Sequence, residues 1–331
     1  MCSLDLDALE CLAAIVEEGG FERAATRLSI TQSAVSQRLR SLEMQTGTVL
    51  IVRSRPIKVT PAGQMLLKHA LQMRLLRADL ERELKELAPG GSSLGIDQEQ
   101  IAIAVNADSI GTWALPALDQ LARQGLAIEV IVDDQDFTQG WLREGQVLGC
   151  ITTLEHALRG CKVLPLGSMQ YVAVAHPEFA AARCPEGLSA YNFRRLPFIA
   201  FNRKDDSQCD FVGRAFGLNK VKLRQFHVPS TQGQLRAVEA RWGVSWLPEL
   251  QVRDKLRRGE LVNLMPELPL AIDLYWHCWN LDSPVLDALT KALISTAAAS
   301  LSGPRTPGGA GRAPQAAPPG RLERELIAEA A

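Results

Sequence analysis

Side chains suited to molecular recognition are concentrated between residues 32 and 40. Five polar residues recur there at a spacing that places them on one face of a helix: Gln32, Ser33, Ser36, Gln37 and Arg40. Glutamine can pair with the edge of adenine through two hydrogen bonds, and arginine can bind guanine or a phosphate group. These residues therefore predict a helix that reads base edges in the major groove of DNA.

Local charge supports this interpretation, although the whole chain has a formal net charge of only −1. Residues 23–60 carry seven arginines and lysines against the single acid Glu43, whereas residues 1–22 carry six acids and no base. Arg38 and Arg53 in the basic stretch are expected to hold phosphates or to enter the minor groove. A polar helix face alone is more often a solvated surface. The basic bias around this face makes DNA binding the favoured interpretation.

The elements around the polar face predict a winged helix-turn-helix over residues 1–60. Apolar residues at helical spacing predict two short helices that meet at a tight turn before Thr31, which is a suitable N-cap for the third helix. Residues 50–60 read as a small hairpin, which would be the wing. Three apolar residues of the third helix are expected to face inward: Val35, Leu39 and Leu42.

A long helix is predicted over residues 61–88, because Thr60 and Pro61 place a cap and an N1 proline in their preferred positions. One apolar stripe on this linker helix has the spacing that suits a partner helix: Leu66, Met73, Leu76, Leu80 and Leu87. Packing of the stripe on the chain's own domain is the alternative, and His69 and Glu83 interrupt the heptad pattern. The spacing favours dimerisation over that alternative.

A second domain is predicted over residues 99–300, after a Pro- and Gly-rich hinge at residues 89–98. Strand-like runs alternate with helical stretches there, which predicts two α/β lobes built on parallel strands. Residues 301–331 are rich in Pro, Gly and Ala and are expected to be disordered. The predicted fold class is α/β, with an all-α winged helix-turn-helix at the N-terminus, a long linker helix and a two-lobed effector domain like that of periplasmic binding proteins.

The N-terminal sequence resembles the signature of the LysR-type transcriptional regulators. The resemblance rests on residues 21–43 (FERAATRLSITQSAVSQRLRSLE), with Arg53 and the TPAG segment at 60–63. It extends over residues 4 to 300 and is nearest to the arginine- and lysine-responsive ArgP/LysG branch, through the segment NADS at 106–109 and the TW and LPAL segments after it. Ser33, where most members of the family have proline, is also found in this branch.

The resemblance implies a homodimer or homotetramer that is assembled through linker helices, binds double-stranded promoter DNA and contacts RNA polymerase. It also implies lysine or arginine as the small-molecule effector, and control of genes such as those for basic amino acid export or metabolism. A regulator of the same type that responds to a different small anionic metabolite is the alternative.

The effector is expected to bind in the cleft between the lobes, at the carboxyl ends of strands, where a helix N-terminus can receive an anion. Ser109 is predicted to hold the ligand carboxylate, with Thr152 and Thr153 as further donors. Acids in the strand-end loops are expected to bind the cationic groups of a basic amino acid, although each acid alone could be a cap or a solvated charge. The predicted effector residues are Asn106, Asp108, Ser109, Asp134, Thr152, Thr153, Asp205 and Asp206, with Asp133 and Asp136 in the same loops.

Other classes of protein find less support. The sequence contains no nucleophile elbow, P-loop, H-E-x-x-H or G-x-G-x-x-G motif, so an enzyme with an accessory DNA-binding domain is the weaker alternative, and no catalytic residue or cofactor is predicted. The seven cysteines are scattered, and no metal site is predicted. No apolar run reaches the roughly 20 residues that span a bilayer, and no secretion signal is recognisable. These features predict a cytoplasmic protein without membrane contact, which also disfavours a secreted binding protein.

Overall fold

The structure is a computed structural model that describes residues 4–87, 100–134, 137–219, 221–268 and 270–303. The predicted hinge at residues 89–98 and residues 304–331 of the predicted tail lie outside the described residues. The chain divides into two compact units, Met1–Pro165 with Leu274–Ala297 and Leu166–Asp273 with Ala298–Ala331.

The N-terminal part of the first unit is a winged helix-turn-helix, as predicted. Its elements are α1 (Leu6–Glu17), α2 (Phe21–Arg27), α3 (Gln32–Thr46), β1 (Ile51–Val52) and β2 (Lys58–Val59). The two strands pair antiparallel and form the wing. Thr31 begins α3, because its side-chain oxygen accepts a hydrogen bond from the Ala34 N–H at 3.2 Å. Gly47 ends this helix in the left-handed conformation, with a φ of +67°.

An apolar core fixes the orientation of α3. Three residues of this helix are at most 1% exposed and pack against α1 and α2: Val35, Leu39 and Leu42. Full burial of such side chains contributes roughly 1.5–3 kcal/mol each. The same core takes in Leu67 and Ala70 of the long helix α4 (Pro61–Leu87). The polar face of α3 is therefore held outward, and the first turns of α4 belong to the winged helix-turn-helix core.

Three parallel strands follow in the first unit. The elements are β3 (Gln100–Asn106), α5 (Ala107–Thr112), α6 (Ala114–Arg123), β4 (Ala127–Asp133), α7 (Thr138–Arg143) and β5 (Gly149–Thr152). Strand β3 pairs parallel with β4, where Asn106 is opposite Asp133, and with β5, where Ala104 is opposite Cys150. Because the pairing is parallel, the carboxyl ends of all three strands meet at one edge.

The second unit holds most of β6 and the elements after it. These are β6 (Cys161–Ala175), α8 (Pro177–Arg183), a short 3₁₀ helix (Phe193–Arg195), β7 (Pro197–Ala200), α9 (Ser207–Phe216), β8 (Arg224–His227), α10 (Thr231–Glu239), β9 (Ser245–Pro248), α11 (Glu249–Arg257) and β10 (Val262–Asn263). Strands β7 and β8 are parallel, whereas β6 pairs antiparallel with β9 and β10. The chain then returns to the first unit through β11 (Leu270–Trp279) and α12 (Pro284–Ser300).

The strands pair in both directions, whereas the sequence predicted α/β lobes built on parallel strands. Strand β11 pairs antiparallel with β5, and β6 adds the antiparallel pairs of the second unit. Pro165 and Gly167, whose φ is +130°, lie within β6. These residues remove the continuous apolar run or alternation by which a strand is recognised from sequence.

Helix α4 is also attached to the α/β part of the first unit. The carboxylate of Asp79, which is 5% exposed, accepts a hydrogen bond from Ser283 Oγ at 2.5 Å and one from Arg82 Nη1 at 2.6 Å. Nearer the start of the helix, Lys68 Nζ donates to the Arg159 carbonyl oxygen at 3.2 Å. The linker helix is therefore held to this lobe at two points.

Candidate functional site

The residues of α3 that are predicted to read DNA lie on the exposed side of this helix. Gln32, Gln37 and Arg40 are exposed, and Ser36 is half-buried beside them. They lie opposite the buried apolar side of the helix, so their hydrogen-bonding groups point away from the core. Ser33 is exposed as well, but its hydroxyl lies 2.9 Å from the Thr31 hydroxyl and is engaged in the cap. The packing of α3 therefore leaves the hydrogen-bonding groups of Gln32, Gln37 and Arg40 accessible.

The two predicted backbone-contacting arginines have different surroundings. Arg38 is 38% exposed and forms an ion pair with Asp7 of α1, with 3.2 Å between Nη2 and Oδ2. Arg53 is exposed at the end of β1, and its guanidinium carbon lies 4.8 Å from the ring centroid of Phe21. A phosphate contact by Arg38 has to compete with Asp7, whereas Arg53 carries its charge at the surface. Both DNA-binding roles remain predictions.

The acids of α1 are bound to arginines of neighbouring helices. Arg74 of α4 binds Glu10 at 2.6 Å and Glu17 at 2.8 Å, and Arg27 of α2 also binds Glu17. Burial lowers the pKa of Arg74, but the carboxylates of Glu17 and Glu10 outweigh it and raise this pKa above its usual value. The ion pairs connect three helices and neutralise acids that would otherwise repel DNA phosphates.

The apolar stripe predicted on α4 is partly exposed. Leu76, Leu80 and Leu87 are 39%, 53% and 83% exposed, respectively. Met73 is half-buried, and Leu66, also half-buried, packs against the winged helix-turn-helix core. Leu84, 46% exposed, lies on the same face and was missed by the heptad analysis, although its spacing of four from Leu80 could have revealed it. The stripe is available for a partner helix beyond Leu66.

The predicted effector residues after β3 are closely packed. Ser109 is fully buried, and its hydroxyl accepts a hydrogen bond from Trp113 Nε1 at 3.1 Å. Asp108 lies beside it in the first turn of α5. Asn106 is 3% exposed, and its side-chain oxygen has no hydrogen-bond partner in the described structure. An unsatisfied buried acceptor is costly, so Asn106 is suited to receive a donor from a ligand.

Residues after β4 and β5 lie at the same strand edge. Asp133, opposite Asn106, accepts hydrogen bonds from the Asp134 N–H at 2.8 Å and from Trp141 Nε1 at 2.9 Å. The buried hydroxyl of Thr152 donates to Gln139 Oε1 at 2.9 Å. Thr153 follows at the end of β5 and is half-buried. Asp136 lies outside the described residues.

Helix α7 brings two residues to this edge that the sequence analysis missed. Gln139 and Trp141 contact Thr152 and Asp133 through the hydrogen bonds just given. The turn after the same helix approaches α4 closely, because a Cβ added to Gly145 would lie 2.8 Å from Lys68 Cα. No local sequence motif marks Gln139 or Trp141. They reach the strand edge only because the chain folds back there as α7 after β4.

The two predicted acids of the second unit have different environments. The carboxylate of Asp205, 7% exposed, accepts hydrogen bonds from the Phe201 and Ser207 N–H groups, both at 2.9 Å. These bonds shape the turn before α9, a structural role that the sequence analysis gave as the alternative. Asp206 is exposed at the N-cap position of α9. Their role in effector binding remains a prediction.

Two kinds of site are absent from the residues that the structure describes. Among them, no group of three or more His, Cys, Asp or Glu side chains is arranged to hold a metal ion. Within the same ranges, no helix has both the length and the apolar character needed to cross a membrane.

Comparison with known protein families matches both parts of the chain. Residues 6–64 match the family described as "Bacterial regulatory helix-turn-helix protein, lysR family". Residues 95–299 match the family described as "LysR substrate binding domain". A DNA-reading unit is thus joined to a ligand-binding domain. The chain belongs to the LysR family of transcriptional regulators and is not an enzyme.

Relatives within the family identify the branch. The chain is 39% identical to the transcriptional regulator ArgP of Aeromonas salmonicida over 296 residues, which cover 89% of this chain and 97% of ArgP. The crystal structure of ArgP from Mycobacterium tuberculosis aligns with a TM-score of 0.79 and 37% identity, covering 91% of this chain and all of that one. A full-length LysG from Corynebacterium glutamicum with bound effector arginine aligns with a TM-score of 0.68 and 32% identity, covering 90% and 99%. The chain is therefore similar to ArgP and LysG regulators.

Proposed function

We propose that the chain regulates transcription by binding promoter DNA through α3 and the wing, and by binding lysine or arginine at the carboxyl ends of β3, β4 and β5. Genes for basic amino acid export or metabolism are the proposed targets. The DNA-binding part of the proposal is supported by the outward polar face of α3 and by the exposed guanidinium of Arg53.

The observation that carries the effector proposal is the unsatisfied side-chain oxygen of Asn106. It accepts hydrogen bonds but cannot donate them, so it favours a ligand with N–H groups, such as an ammonium or a guanidinium. Asp108 in the first turn of α5 and Asp134 just after β4 lie near this edge and add negative charge there. The arginine bound to the C. glutamicum LysG is a ligand with the required chemistry.

Isothermal titration calorimetry on the full chain tests the proposal with arginine, lysine and the neutral arginine analogue citrulline. We expect heat from arginine or lysine and at least about tenfold weaker binding of citrulline, because hydrogen bonds to charged groups are the stronger ones. Heat from neutral amino acids alone, or from small carboxylic acids without an amino group, would favour the alternative of a different anionic effector.

An Asn106→Leu variant makes the test specific to the proposed residue. Loss of a hydrogen bond to a cationic ligand should weaken arginine binding about 10- to 100-fold. The ligand-free protein should be as stable as the wild type or more stable, since leucine removes an unsatisfied buried acceptor. Asn280→Leu, at an exposed position of the same unit, is the matched control and should bind arginine normally. Unchanged arginine affinity in Asn106→Leu would contradict the role of Asn106.

The assembly is part of the same proposal. The exposed leucines of α4 support a homodimer formed through linker helices, which further pairs into a homotetramer. Contact with RNA polymerase and a cytoplasmic location follow from action at a promoter. Footprinting of the chain on its own upstream region, with and without arginine and lysine, tests promoter binding. If the DNA is protected neither with nor without these amino acids, promoter binding is contradicted.

A further inference from the structure

An arginine of the wing is stacked on an aromatic ring of the helix-turn-helix. The guanidinium carbon of Arg53 lies 4.8 Å from the centroid of the Phe21 ring. Phe21 is the first residue of α2, and its half-buried ring packs against the winged helix-turn-helix core. Arg53 itself is exposed. The ring therefore connects an exposed cation to the rigid part of the unit.

This contact differs from those of the neighbouring arginines. Arg27, Arg38 and Arg74 are bound to carboxylates, which fix their positions but also offset their charge. In residues 4–87, the ion pairs that the structure describes do not include Arg53. An aromatic face attracts a guanidinium through its quadrupole and leaves the charge and the N–H donors available. Arg53 is thus held in place without being neutralised.

The contact of Arg53 with the Phe21 ring affects the conformational entropy that this side chain loses when it binds DNA. A long, free arginine side chain loses rotamer freedom when it contacts a phosphate, and that loss weakens the complex. A guanidinium already stacked on a ring has lost part of this freedom on folding. Preorganisation of this kind raises affinity without adding a contact to the ligand.

We propose that Phe21 is a positioning residue for DNA binding, because its ring holds the guanidinium of Arg53 in the orientation that contacts the DNA backbone. The inference rests on the proposed backbone contact of Arg53 and adds the residue that orients it.

The experiment measures binding of the full chain to a short duplex of unrelated sequence, by fluorescence anisotropy at several salt concentrations. Phe21→Leu should weaken binding about 2- to 5-fold, the range expected for loss of one exposed cation–π contact. Phe21→Tyr keeps the ring and should bind as the wild type does. Arg53→Ala should weaken binding and reduce the slope of log affinity against log salt by about 0.9, the value for one phosphate contact.

A double variant separates positioning from folding. In the Arg53→Ala background, Phe21→Leu should cause no further loss of affinity, because there is no guanidinium left to orient. Leu28→Ala trims the same core without touching Arg53 and should keep wild-type affinity, with circular dichroism confirming that each variant is folded. Equal losses from Phe21→Leu with and without Arg53, or failure of Phe21→Tyr to restore binding, would overturn the inference.

The inference and the underlying proposal fail in distinguishable ways. If Arg53→Ala leaves both affinity and salt slope unchanged, the backbone contact of Arg53 is refuted, and the positioning role with it. If Arg53→Ala weakens binding but Phe21→Leu does not, only the positioning role of Phe21 is refuted.

Discussion

A buried hydroxyl forms one of the contacts that hold the linker helix α4 to the α/β part of the first unit. Ser283 Oγ donates to the buried carboxylate of Asp79 on α4 at 2.5 Å, and it accepts from the Leu286 N–H at 3.3 Å in the first turn of α12. Ser283 is fully buried, so water cannot replace either bond unless the structure opens. Ser283→Ala therefore leaves one oxygen of Asp79 without its donor and α12 without its side-chain cap.

The size of the expected effect of Ser283→Ala follows from these two losses. A hydrogen bond to a charged group contributes about 1.5–3 kcal/mol, and an N-cap side chain typically contributes about 1 kcal/mol. Their sum, about 2.5–4 kcal/mol, corresponds to a roughly 70- to 900-fold larger population of locally open structure. The bond to the carboxylate dominates this sum, so the effect should appear on α4 as well as on α12.

Amide hydrogen exchange of the full chain, followed by mass spectrometry, is the assay. Peptides over residues 76–84 and 283–290 should exchange faster in Ser283→Ala by the factor given above. Ser283→Thr keeps the hydroxyl and should stay near the wild type. Asp287→Ala, which removes the partly exposed ion pair of Asp287 with Lys162, should change little. Exchange that increases only over residues 283–290, or that equals the Asp287→Ala result, would refute the link between Ser283 and α4.

Three further outcomes are expected. Gln37→Ala should weaken specific DNA binding about 5- to 150-fold, because one bidentate base contact is lost, while binding to unrelated DNA stays nearly constant. Gln45→Ala, at an exposed position of the same helix, is the control in the anisotropy assay. Leu84→Glu should raise the dimer dissociation constant at least about tenfold in sedimentation experiments, because a charge replaces an apolar contact. Leu115→Glu, at another exposed leucine, is the control and should leave this constant unchanged. Burial lowers the pKa of His277 in the folded protein, so in acid the unfolded state binds more protons than the folded state does. Stability is therefore lost as the pH falls below the pKa of an unfolded histidine, about 6.5. Urea midpoints read from tryptophan fluorescence should fall between neutral and mildly acidic pH, and a His277→Gln variant with an equally large fall would show that His277 is not responsible.

The DNA-reading unit could be predicted from sequence because its signals are local. Thr31 caps α3, Gly47 ends it, and Val35, Leu39 and Leu42 alternate with the polar residues at helical spacing. Each of these features lies within a few turns of the helix that it defines. The base-reading face therefore followed from the same pattern that predicted the helix.

The ligand-binding part was less predictable because its contacts join distant segments. Residues at strand ends could be recognised, but the partners of Asp133 and Thr152 come from α7, which no motif marks. The burial that leaves the Asn106 oxygen without a partner depends on the packing of the whole strand edge. The structural use of the Asp205 carboxylate is likewise visible only when the turn around it is known.

A chain of net charge −1 can present a positive face because charge acts locally in salt solution. At physiological ionic strength, exposed charges separated by more than about 8 Å are largely screened from one another, so a bound phosphate responds to the groups near it and not to the whole chain. Close to α3, the acids Glu10 and Glu17 are bound to Arg74, and Asp7 is bound to Arg38. Arg40 and Arg53 remain exposed on the polar face of α3 and on the wing. The acids of α1 thus stabilise the helices that carry these arginines, while adding little repulsion where DNA is proposed to bind.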